Sequence, residues 1–439
     1  MKRRDFLKTG PAALSVAPLL AGAAPADEPD EGRPGGKARI AVIGVGSRGT
    51  GLLRSLCRLP NAEVVAVCDL YRDRAEAAAK ICADAGAPAP KVYAEDERAW
   101  REVYAREKPD AVIIATYWDS HAEMSAAALE AGIHVGCEVP IAMTVDDCWR
   151  LVETAERTGV PCMMLENWSF RRDNLALLNM IRLGMLGEMM HGHCAYSHYG
   201  VPGSYKADGR GDTWRNRYIA ERGLNCNYYP THALGPIVSW FDINAGDRFT
   251  EIYSAATAAR GVNDFVRREF GPDHPNATRA FSQGDVVTSI LKTANGKTIV
   301  VNLDTKLPRP YANRWLAAGT RGVYDEEKAS IYLDGVSPAA EAWEPWAPYE
   351  EKYNHRFWSQ GSTGGHMGTD PLMLRLFVDS VAARRPTPLD VHDSVVMSAV
   401  VDLSGRSIKE NRPVEFPDFT RGAWKTRQPY FALDRRREG

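Results

Sequence analysis

Hydrophobic residues in the first half of the chain form short continuous runs that alternate with segments of helical spacing. The runs RIAVIG, AEVVAVCDL, DAVIIAT, HVGCEV and VPCMML are largely apolar, which predicts buried strands. Intervening segments such as RGTGLLRSLCRL carry apolar residues three and four apart, which predicts helices. Gly86 and Gly132 stop two helices, Ser120 and Glu123 have capping-box spacing, and Thr144 is a candidate N-cap. Strands and helices in this alternation predict a parallel sheet covered on both faces.

The pattern changes in the second half of the chain. GEMMHGHCAYSH, DVVTSILKTANGKTIVVNLDT and RWLAAGTRGVYDEEKASIYLDG have the appearance of antiparallel strands, and Asn295-Gly296 is a typical hairpin turn. DPLMLRLFVDSVAARRP and DSVVMSAVVDLSGRSIKENRP predict late helices that pack back on the first domain. We therefore predict an α/β fold with a doubly wound parallel sheet at 38–166, followed at 167–433 by an α+β domain with a largely antiparallel open sheet.

The chain begins with the organisation of an export signal. The paired arginines of MKRRDFLK precede an apolar run at 12–24 and a small-x-small site, where cleavage would follow Ala26. The arginine pair favours the twin-arginine route, and the run is too short to span a membrane. We therefore predict a signal peptide at 1–26, a linker at 27–37 and a periplasmic or secreted mature protein with no membrane partner. The alternative is a cytosolic protein that begins with an apolar helix.

Charge and cysteine content narrow the range of partners. The 54 basic and 56 acidic side chains leave a net charge of −2, which argues against a nucleic-acid partner. The eight cysteines show no C-x-x-C pair and no metal-ligand spacing, so we predict no metal site. Most lie inside apolar runs, which favours buried free thiols. A chain that folds in the cytoplasm is not expected to form disulfides.

One glycine-rich loop carries a recognisable chemistry. GVGSRG at 44–49 directly follows a predicted strand and opens a helix, and Asp69 ends the next strand. In this arrangement Gly44 makes the tight turn, Gly46 admits a pyrophosphate and Gly49 allows close packing of helix and strand. Asp69 would accept hydrogen bonds from ribose hydroxyls, which favours NAD over NADP. We therefore predict an NAD-binding Rossmann domain; the alternative is a glycine-rich turn that binds no ligand.

Export and a nucleotide cofactor together constrain the chemistry. Outside the cytoplasm there is no obvious pool of NAD and no partner to recycle it. A conventional dehydrogenase would therefore stall after one turnover. We predict that NAD is bound tightly and is reduced and reoxidised within each catalytic cycle.

Ordered stretches from about residue 38 to 433 resemble glycoside hydrolase family 109, the NAD-dependent α-N-acetylgalactosaminidases, within the Gfo/Idh/MocA oxidoreductases. The stretches are GVGSRG, ATYWDSH, CEVP, MMLEN, WRN, YPTH, PRPY and GGH. By this resemblance the NAD site is lined by Ser47, Arg48, Asp69, Trp118, His121, Glu138, Val139 and Asn167. The sugar pocket is lined by Tyr196, Arg215, Tyr229, Thr231, His232 and Tyr311.

The resemblance also implies a redox-neutral hydrolysis of N-acetylhexosaminides. NAD takes hydride from C3 of the sugar, a base removes the C2 proton, the aglycone is eliminated, water adds at C1 and the hydride returns. Val139 stands where related dehydrogenases have a proton-carrying lysine. Tyr229 is our candidate for the base, with His232 as its partner or as the group that polarises O3. Alternatively, His232 is a buried structural residue, or Tyr228 takes the place of Tyr229.

Several assignments remain open at the level of sequence. Phe170 stands where the family is expected to have tyrosine, which leaves the exact sugar open. Arg215 could bind substrate or pair with Glu221. The aromatic segment 341–358 could form a sugar platform or a dimer contact. His366 lies on a glycine-rich loop that could close over the pocket, and His121 is expected on the nicotinamide side.

Two other functions compete with the glycosidase. An ordinary NAD-dependent sugar or polyol dehydrogenase would release NADH. A non-catalytic sugar-binding protein would keep NAD as a structural element. The expected partner is in each case a small carbohydrate or glycoconjugate, and the family suggests a homodimer formed through the open sheet.

Overall fold

The computed structural model describes residues 37–205 and 214–433. The predicted signal peptide at 1–26 and the predicted linker up to residue 36 lie outside the described residues. Within the two described ranges, none of the helices combines the length and the apolar character needed to cross a membrane.

The first half of the described chain forms the predicted parallel sheet. Its strands pair in the order β3-β2-β1-β4-β5-β6, and every pairing is parallel. In this Rossmann order the direction of winding reverses between β1 and β4, which opens a ligand crevice at the carboxyl ends of the strands. We did not predict β3, because three residues are too few for a periodic pattern. The strands are β1 (Ala38–Ile43), β2 (Ala62–Cys68), β3 (Lys91–Tyr93), β4 (Ala111–Ile114), β5 (His134–Cys137) and β6 (Cys162–Met164).

Helices connect these strands, and most of their predicted ends are confirmed. Thr144 accepts a hydrogen bond from the backbone of Asp147 at 3.1 Å, as an N-cap does. Gly86 and Gly132 follow their helices with φ values of 79° and 76°, in the left-handed region that favours glycine. The helices are α1 (Ser47–Leu56), α2 (Arg72–Asp84), α3 (Ala99–Glu102), α4 (Trp118–Glu130) and α5 (Val145–Thr158).

The capping box predicted for α4 is wrong. The helix starts at Trp118, two residues before the predicted cap, and the large indole is buried there. Ser120 therefore lies inside the first turn and donates to the Tyr117 carbonyl. Glu123 accepts a hydrogen bond from Arg101 instead of turning back to the helix start.

The second half is built on a mixed sheet in the order β14-β13-β12-β11-β7-β10-β9-β8-β15. Only the pairing of β7 with β10 is parallel among these described strands, so the prediction of a largely antiparallel sheet is confirmed. Asn295-Gly296 makes the turn between β9 and β10, with a φ of 83° at Gly296. The strands are β7 (Met189–Ser197), β8 (Phe249–Ala256), β9 (Val286–Thr293), β10 (Thr298–Asp304), β11 (Leu316–Gly319), β12 (Gly322–Asp325), β13 (Ser330–Leu333), β14 (Glu344–Pro345) and β15 (Val414–Glu415).

The late helices contact the parallel sheet. A Cβ at Gly136 of β5 would lie 3.1 Å from the Phe377 ring, so the absence of a side chain there lets α12 approach. Ser394 of α13 accepts a hydrogen bond from the backbone of Met164, at the end of β6. The helices of this half are α6 (Arg172–Arg182), α7 (Trp214–Glu221), α8 (Thr231–Trp240), α9 (Gly261–Phe270), α10 (Pro275–Thr278), α11 (Ala347–Lys352), α12 (Thr369–Ala382), α13 (Val391–Ser398) and α14 (Val400–Glu410).

The eight cysteines are all free thiols. Seven are buried, as the apolar runs predict, and Cys57 is half-buried. The sulfur of Cys57, just after α1, lies 3.4 Å from that of Cys82 in α2. The helices before and after β2, α1 and α2, are therefore in contact through a pair of thiols.

Candidate active site

A cavity of about 780 Å³ opens at the carboxyl edge of the parallel sheet. Its walls come from the loops after β1, β2, β4 and β5, and from β7, α7 and α8 of the second half. This is the place where doubly wound sheets bind ligands. The predicted site residues in its lining are Gly44, Gly46, Ser47, Arg48, Asp69, Trp118, His121, Glu138, Val139, Tyr196, Arg215, Tyr229 and His232. Four others lie outside the lining: Gly49, Asn167, Thr231 and Tyr311.

The three glycines of the loop at 44–49 differ in what surrounds them. Gly44 has a φ of 83°, and a Cβ there would lie 2.6 Å from the Ala115 carbonyl oxygen. A Cβ at Gly49 would lie only 1.8 Å from the oxygen of Gly44, so helix and loop touch at this point. At Gly46 a Cβ would meet no atom within 4 Å. The open space faces the start of α1, which has no side-chain cap, so its first amides are available to an anion.

Asp69 is fixed at the end of β2 in the cavity wall. One carboxylate oxygen accepts from the backbone of Val45 at 2.8 Å, and the other accepts from that of Tyr71 at 3.0 Å. Each carboxylate oxygen has a second lone pair that can accept from a ribose hydroxyl. Together with the glycine loop, this geometry fits a dinucleotide such as NAD.

Arg48 links the glycine loop to the second half of the chain. Its Nε donates to Glu138 at 2.6 Å, and its two terminal nitrogens donate to Asp370 at 2.6 and 3.1 Å. Asp370 also contacts His366 Nδ1 at 2.7 Å and accepts from Asn167 at 2.9 Å. Burial opposes the charge of Asp370, but the hydrogen bonds from His366 and Arg48 outweigh it and hold the pKa of its carboxyl below the ordinary value. Asn167 thus reaches the cavity only through Asp370, a residue that sequence reasoning missed.

His121 and Trp118 hold the backbone beside the cavity. The Nδ1 of His121 lies 2.8 Å from the Pro140 carbonyl and its Nε2 lies 3.2 Å from that of Thr116. Burial lowers the pKa of this imidazole. Trp118 donates from Nε1 to the Val139 carbonyl at 3.2 Å. Both ring nitrogens of His121 therefore face backbone carbonyls, to one of which a neutral imidazole can donate. The ring contributes to the wall on which we expected a nicotinamide contact.

Tyr229 and His232 lie side by side in the other end of the cavity. The Tyr229 hydroxyl is 3.4 Å from His232 Nε2, and the Nδ1 of the same ring is 2.7 and 3.0 Å from the two oxygens of Glu166. Burial raises the pKa of Tyr229, and the charge of Arg215 opposes that rise. Glu166 is wholly buried. It belongs to the stretch MMLEN, but nothing in the sequence indicates that it reaches a histidine 66 residues away.

Arg215 places a positive charge among aromatic rings. Its guanidinium carbon lies 4.5 Å from the centre of the Tyr229 ring and 5.0 Å from that of Trp118. The ring of Tyr196 lies 4.6 Å from that of Tyr229. No ion pair joins Arg215 to Glu221 although both residues are described, so the geometry favours a role for Arg215 at the cavity.

Three residues named from the sequence occupy other places. Thr231 is wholly buried as the first residue of α8, and its hydroxyl has no partner among the described residues. Tyr311 is half-exposed and accepts a hydrogen bond from Trp168 at 3.0 Å. Phe170 is wholly buried, with its ring edge-to-face against Phe431 at 5.3 Å. Phe170 therefore belongs to the core and not to the lining of the cavity.

The loop and the aromatic segment considered above differ in their relation to the cavity. His366 lies in its lining with a φ of 48°. No residue of 341–358 is in the lining, and Trp346 of that segment packs on Tyr324 at 4.7 Å. Across 37–205 and 214–433, no cluster of three histidine, cysteine, aspartate or glutamate side chains is placed to hold a metal ion.

Comparison with known proteins places both halves of the chain. The family "Oxidoreductase family, NAD-binding Rossmann fold" matches residues 38–166, and "Glycosyl hydrolase 109, C-terminal domain" matches 170–426. The chain is 39% identical over 458 residues to a glycosyl hydrolase family 109 protein of Stenotrophomonas maltophilia, covering 99% of each chain. It is 38% identical over 467 residues to an α-N-acetylgalactosaminidase of Tannerella forsythia, covering 98% of this chain and 99% of the other.

Solved structures support the fold. A myo-inositol dehydrogenase of Lactobacillus casei, in complex with NAD(H) and myo-inositol, superposes with a TM-score of 0.61 at 18% identity, covering 87% of this chain and 97% of the other. A levoglucosan dehydrogenase in complex with NADH and levoglucosan gives 0.65 at 19% identity, covering 87% of this chain and 100% of the other. The resemblance noted in the sequence is confirmed: this chain belongs to glycosyl hydrolase family 109.

Proposed function

We propose that this protein is a glycosidase that hydrolyses N-acetylhexosaminides, with α-N-acetylgalactosaminides as the preferred class, and that it uses NAD without net consumption. The observation that carries the proposal is the composition of one cavity. It joins a glycine loop suited to a pyrophosphate with a tyrosine–histidine pair suited to moving protons. The α-N-acetylgalactosaminidase of T. forsythia, at 38% identity over nearly the whole chain, supports the choice of sugar.

The residues that would hold the cofactor are those of the first half. The glycine loop and the start of α1 would bind the pyrophosphate, and Asp69 would bind the adenosine ribose. NAD supplies reversible hydride acceptance when bound. Glu138 and Asp370, both fixed by Arg48, would form the wall between the nucleotide and the sugar. We propose that these contacts keep NAD in place from one turnover to the next.

The residues of the second half would handle the protons of the sugar. The sugar would be oxidised at C3, lose its C2 proton and its aglycone, take up water at C1 and be reduced at C3. Tyr229 would exchange a proton with the C3 hydroxyl or remove that at C2, with His232 beside it. Burial raises the pKa of Tyr229, so a phenolate needs the neighbouring Arg215 charge. Tyr196 would pack against the sugar.

A conventional glycosidase mechanism suits this cavity less well. It needs two carboxyl groups across the scissile bond, one of them protonated at working pH because its pKa is raised. Glu138 is the carboxylate of the lining whose charge helps to raise the pKa of Tyr229, and it accepts a hydrogen bond from Arg48. Asp370 is bound to the same guanidinium, and its pKa is lowered. Neither carboxyl group is therefore arranged as a general acid.

Two alternatives follow from the same fold. An NAD-dependent sugar or polyol dehydrogenase is favoured by the fold of the solved neighbours, but Val139 cannot carry a proton as a lysine there would. A sugar-binding protein that retains NAD would need only the cavity. We propose in addition export by the twin-arginine route with cleavage after Ala26, and a homodimer formed through the open sheet.

One assay separates these functions. Purified protein, with no NAD added, is incubated in heavy water with an aryl N-acetylhexosaminide. Our proposal expects free aglycone and deuterium at C2 of the released sugar. Aglycone without deuterium would indicate direct displacement and would refute the elimination route. NADH released on addition of free sugar and excess NAD would indicate a dehydrogenase, and binding with neither product would indicate a sugar-binding protein.

A variant tests the proton-handling pair. His232→Ala should reduce release of the aglycone to a small residual rate while NAD remains bound, because His232 contacts Tyr229 and not the glycine loop. The matched control is His193→Ala, on β7 and outside the cavity lining, where the imidazole contacts Asn302. Near-normal turnover by His232→Ala would remove this residue from the mechanism.

A further inference from the structure

A buried carboxylate lies behind the tyrosine–histidine pair. Glu166 follows β6 and is wholly buried, and its two oxygens lie 2.7 and 3.0 Å from Nδ1 of His232. One of these oxygens also accepts a hydrogen bond from the backbone of Trp168 at 2.9 Å, which fixes the carboxylate. On the far side of the imidazole, Nε2 faces the Tyr229 hydroxyl at 3.4 Å. The three side chains thus form a continuous row.

The packing of α8 brings this row together. A Cβ at Gly235 would lie 3.0 Å from the Glu166 Cγ and 2.9 Å from the Ser169 hydroxyl. The absence of a side chain at Gly235 therefore lets the helix that carries His232 lie directly on Glu166. Such a close approach aligns a carboxylate from the first half with a histidine from the second.

We propose that Glu166 is a positioning residue that holds His232 in one tautomer, with the proton on Nδ1 and the lone pair of Nε2 directed at Tyr229. This inference rests on the proposed function for its catalytic consequence, but the tautomer itself does not. A carboxylate can only accept hydrogen bonds, so it selects the tautomer protonated on the nitrogen that faces it. The free nitrogen can then accept a proton.

The proton balance is simple. As a hydroxyl proton of the substrate passes to the Tyr229 oxygen, the proton of Tyr229 passes to Nε2 of His232. The imidazolium that results keeps its Nδ1 proton, and its charge is stabilised by the carboxylate of Glu166. In the return step Nε2 gives its proton back to Tyr229, and Tyr229 gives one to the sugar. Glu166 exchanges no proton with the substrate.

Kinetics separate this role from a structural one. Glu166→Gln keeps the shape of the side chain but can donate to Nδ1, which favours the wrong tautomer. We expect kcat to fall by up to about 10⁴-fold, the loss seen for the aspartate of serine-protease triads, while KM and bound NAD change little. Glu166→Asp, which keeps the carboxylate, should recover part of the loss. The control is Glu107→Gln, a buried glutamate outside the cavity lining that accepts from Tyr93 and should leave kcat unchanged.

A double variant tests whether Glu166 acts through the histidine. In a His232→Ala background, Glu166→Gln should cause no further loss of kcat, because the ring it orients is gone. A loss of the same factor in both backgrounds would show that Glu166 acts independently and would overturn the proposal. So would a Glu166→Gln variant with wild-type kcat.

Nuclear magnetic resonance tests the tautomer without any turnover. Full-length protein labelled with ¹⁵N-histidine contains 10 histidines, and the His232 signal is the one lost in His232→Ala. We expect Nδ1 protonated and Nε2 unprotonated at neutral pH in the wild type, and a changed pattern in Glu166→Gln. A protonated Nε2 in the wild type would overturn the proposal even if the protein proves to be a glycosidase. The expected pattern in a protein without glycosidase activity would refute only the proposed function.

A second, independent observation concerns the thiols that join α1 and α2. The sulfur atoms of Cys57 and Cys82 are 3.4 Å apart, and Cys57 is half-buried whereas Cys82 is buried. A hydrogen bond with Cys82 lowers the pKa of the Cys57 thiol, which favours its reactive thiolate. Cys57 therefore combines access to solvent with a second thiol within reach.

We infer that this pair is a thiol–disulfide exchange site that closes on contact with a small disulfide such as oxidised glutathione. The Cys57 thiolate would attack the reagent and release one glutathione thiolate. Cys82 would then lose its proton and attack the Cys57 sulfur, which releases the second glutathione. Two protein thiols are oxidised and one glutathione disulfide is reduced, so electrons balance.

Thiol counting tests the exchange site. Native protein is treated with oxidised glutathione, freed of reagent, denatured and titrated for thiols. We expect two fewer than the eight of the reduced chain, a mass lower by about 2 Da, and no such loss of mass in Cys57→Ser. Eight remaining thiols would overturn the inference. So would a stable glutathione adduct on Cys57, because it would show that Cys82 cannot complete the exchange.

Discussion

Two glycines of the nucleotide loop offer a test that separates ligand binding from folding. A methyl group at Gly46 would enter empty space, whereas one at Gly49 would lie 1.8 Å from the Gly44 carbonyl oxygen. Gly46→Ala should therefore leave the folded protein intact and obstruct the approach of a pyrophosphate. Gly49→Ala should disturb the contact between α1 and the loop whether or not a ligand is present.

The magnitudes follow from the geometry. Carbon and oxygen cannot approach to 1.8 Å, so helix and loop must separate by more than 1 Å in Gly49→Ala. Overpacking of this kind lowers the free energy of unfolding by about 1–3 kcal/mol. The higher helix propensity of alanine offsets at most about 1 kcal/mol of this loss. Gly46→Ala should change the free energy of unfolding by less than about 1 kcal/mol. The same overpacking directed at a bound pyrophosphate weakens NAD binding roughly 10- to 100-fold.

The assay measures two quantities on each variant. Denaturant titration of the protein freed of nucleotide gives the free energy of unfolding, and denaturation of the protein as purified releases bound NAD for quantification. Each variant is the control for the other, since both add one methyl group to the same loop. Wild-type NAD content and affinity in Gly46→Ala would refute the inference that the open space admits a pyrophosphate. Unchanged stability in Gly49→Ala would refute the close packing.

Three further substitutions test the surroundings of the cavity. Asp370→Asn should lower the free energy of unfolding by about 2–4 kcal/mol at neutral pH, because Arg48 loses a buried partner. The pKa of Asp370 is lowered in the folded protein, so its ion pair adds to the free energy of unfolding above about pH 4, and this addition declines as the pH falls further. Denaturant titrations of wild type and variant should therefore converge in acid. Phe170→Tyr should cost about 1–3 kcal/mol by burying a hydroxyl in the core, and should leave the ratio of kcat/KM for aryl galactosaminides and glucosaminides unchanged. Thr144→Ala should cost about 1 kcal/mol in the same titration, through loss of the helix cap.

The local hydrophobic pattern was sufficient to predict those strands and helices whose structure depends mainly on their own sequence. The buried strands of the parallel sheet are apolar throughout, and their helices have apolar faces, so both could be predicted. β3 was not predicted because Lys91–Tyr93 is short and lies at the sheet edge. The capping box at Ser120 failed because burial of Trp118 decides where the helix begins. Tertiary packing overrides a local signal of this strength.

The site could be predicted only where chain order determines position. Loops after parallel strands meet at one edge of the sheet, so the glycine loop and Asp69 could be placed together from the sequence. Arg48 and Asp370 are 322 residues apart, and no local pattern indicates that they pair. Phe170 shows the opposite failure: its position beside MMLEN suggested that it lies near the sugar pocket, but its side chain is buried in the core.

The arrangement of charges explains how one cavity could serve two chemistries. Arg48 pairs with both Glu138 and Asp370 between the glycine loop and the tyrosine–histidine pair, and the row of Tyr229, His232 and Glu166 forms a separate set of contacts. A lysine at position 139 would add a second proton carrier beside that row. Val139 adds none, so the proposed function requires that protons pass through Tyr229, just before α8, and His232 within α8. If the proposed function holds, the side chain at position 139 therefore bears on the reaction as directly as the glycine loop bears on the cofactor.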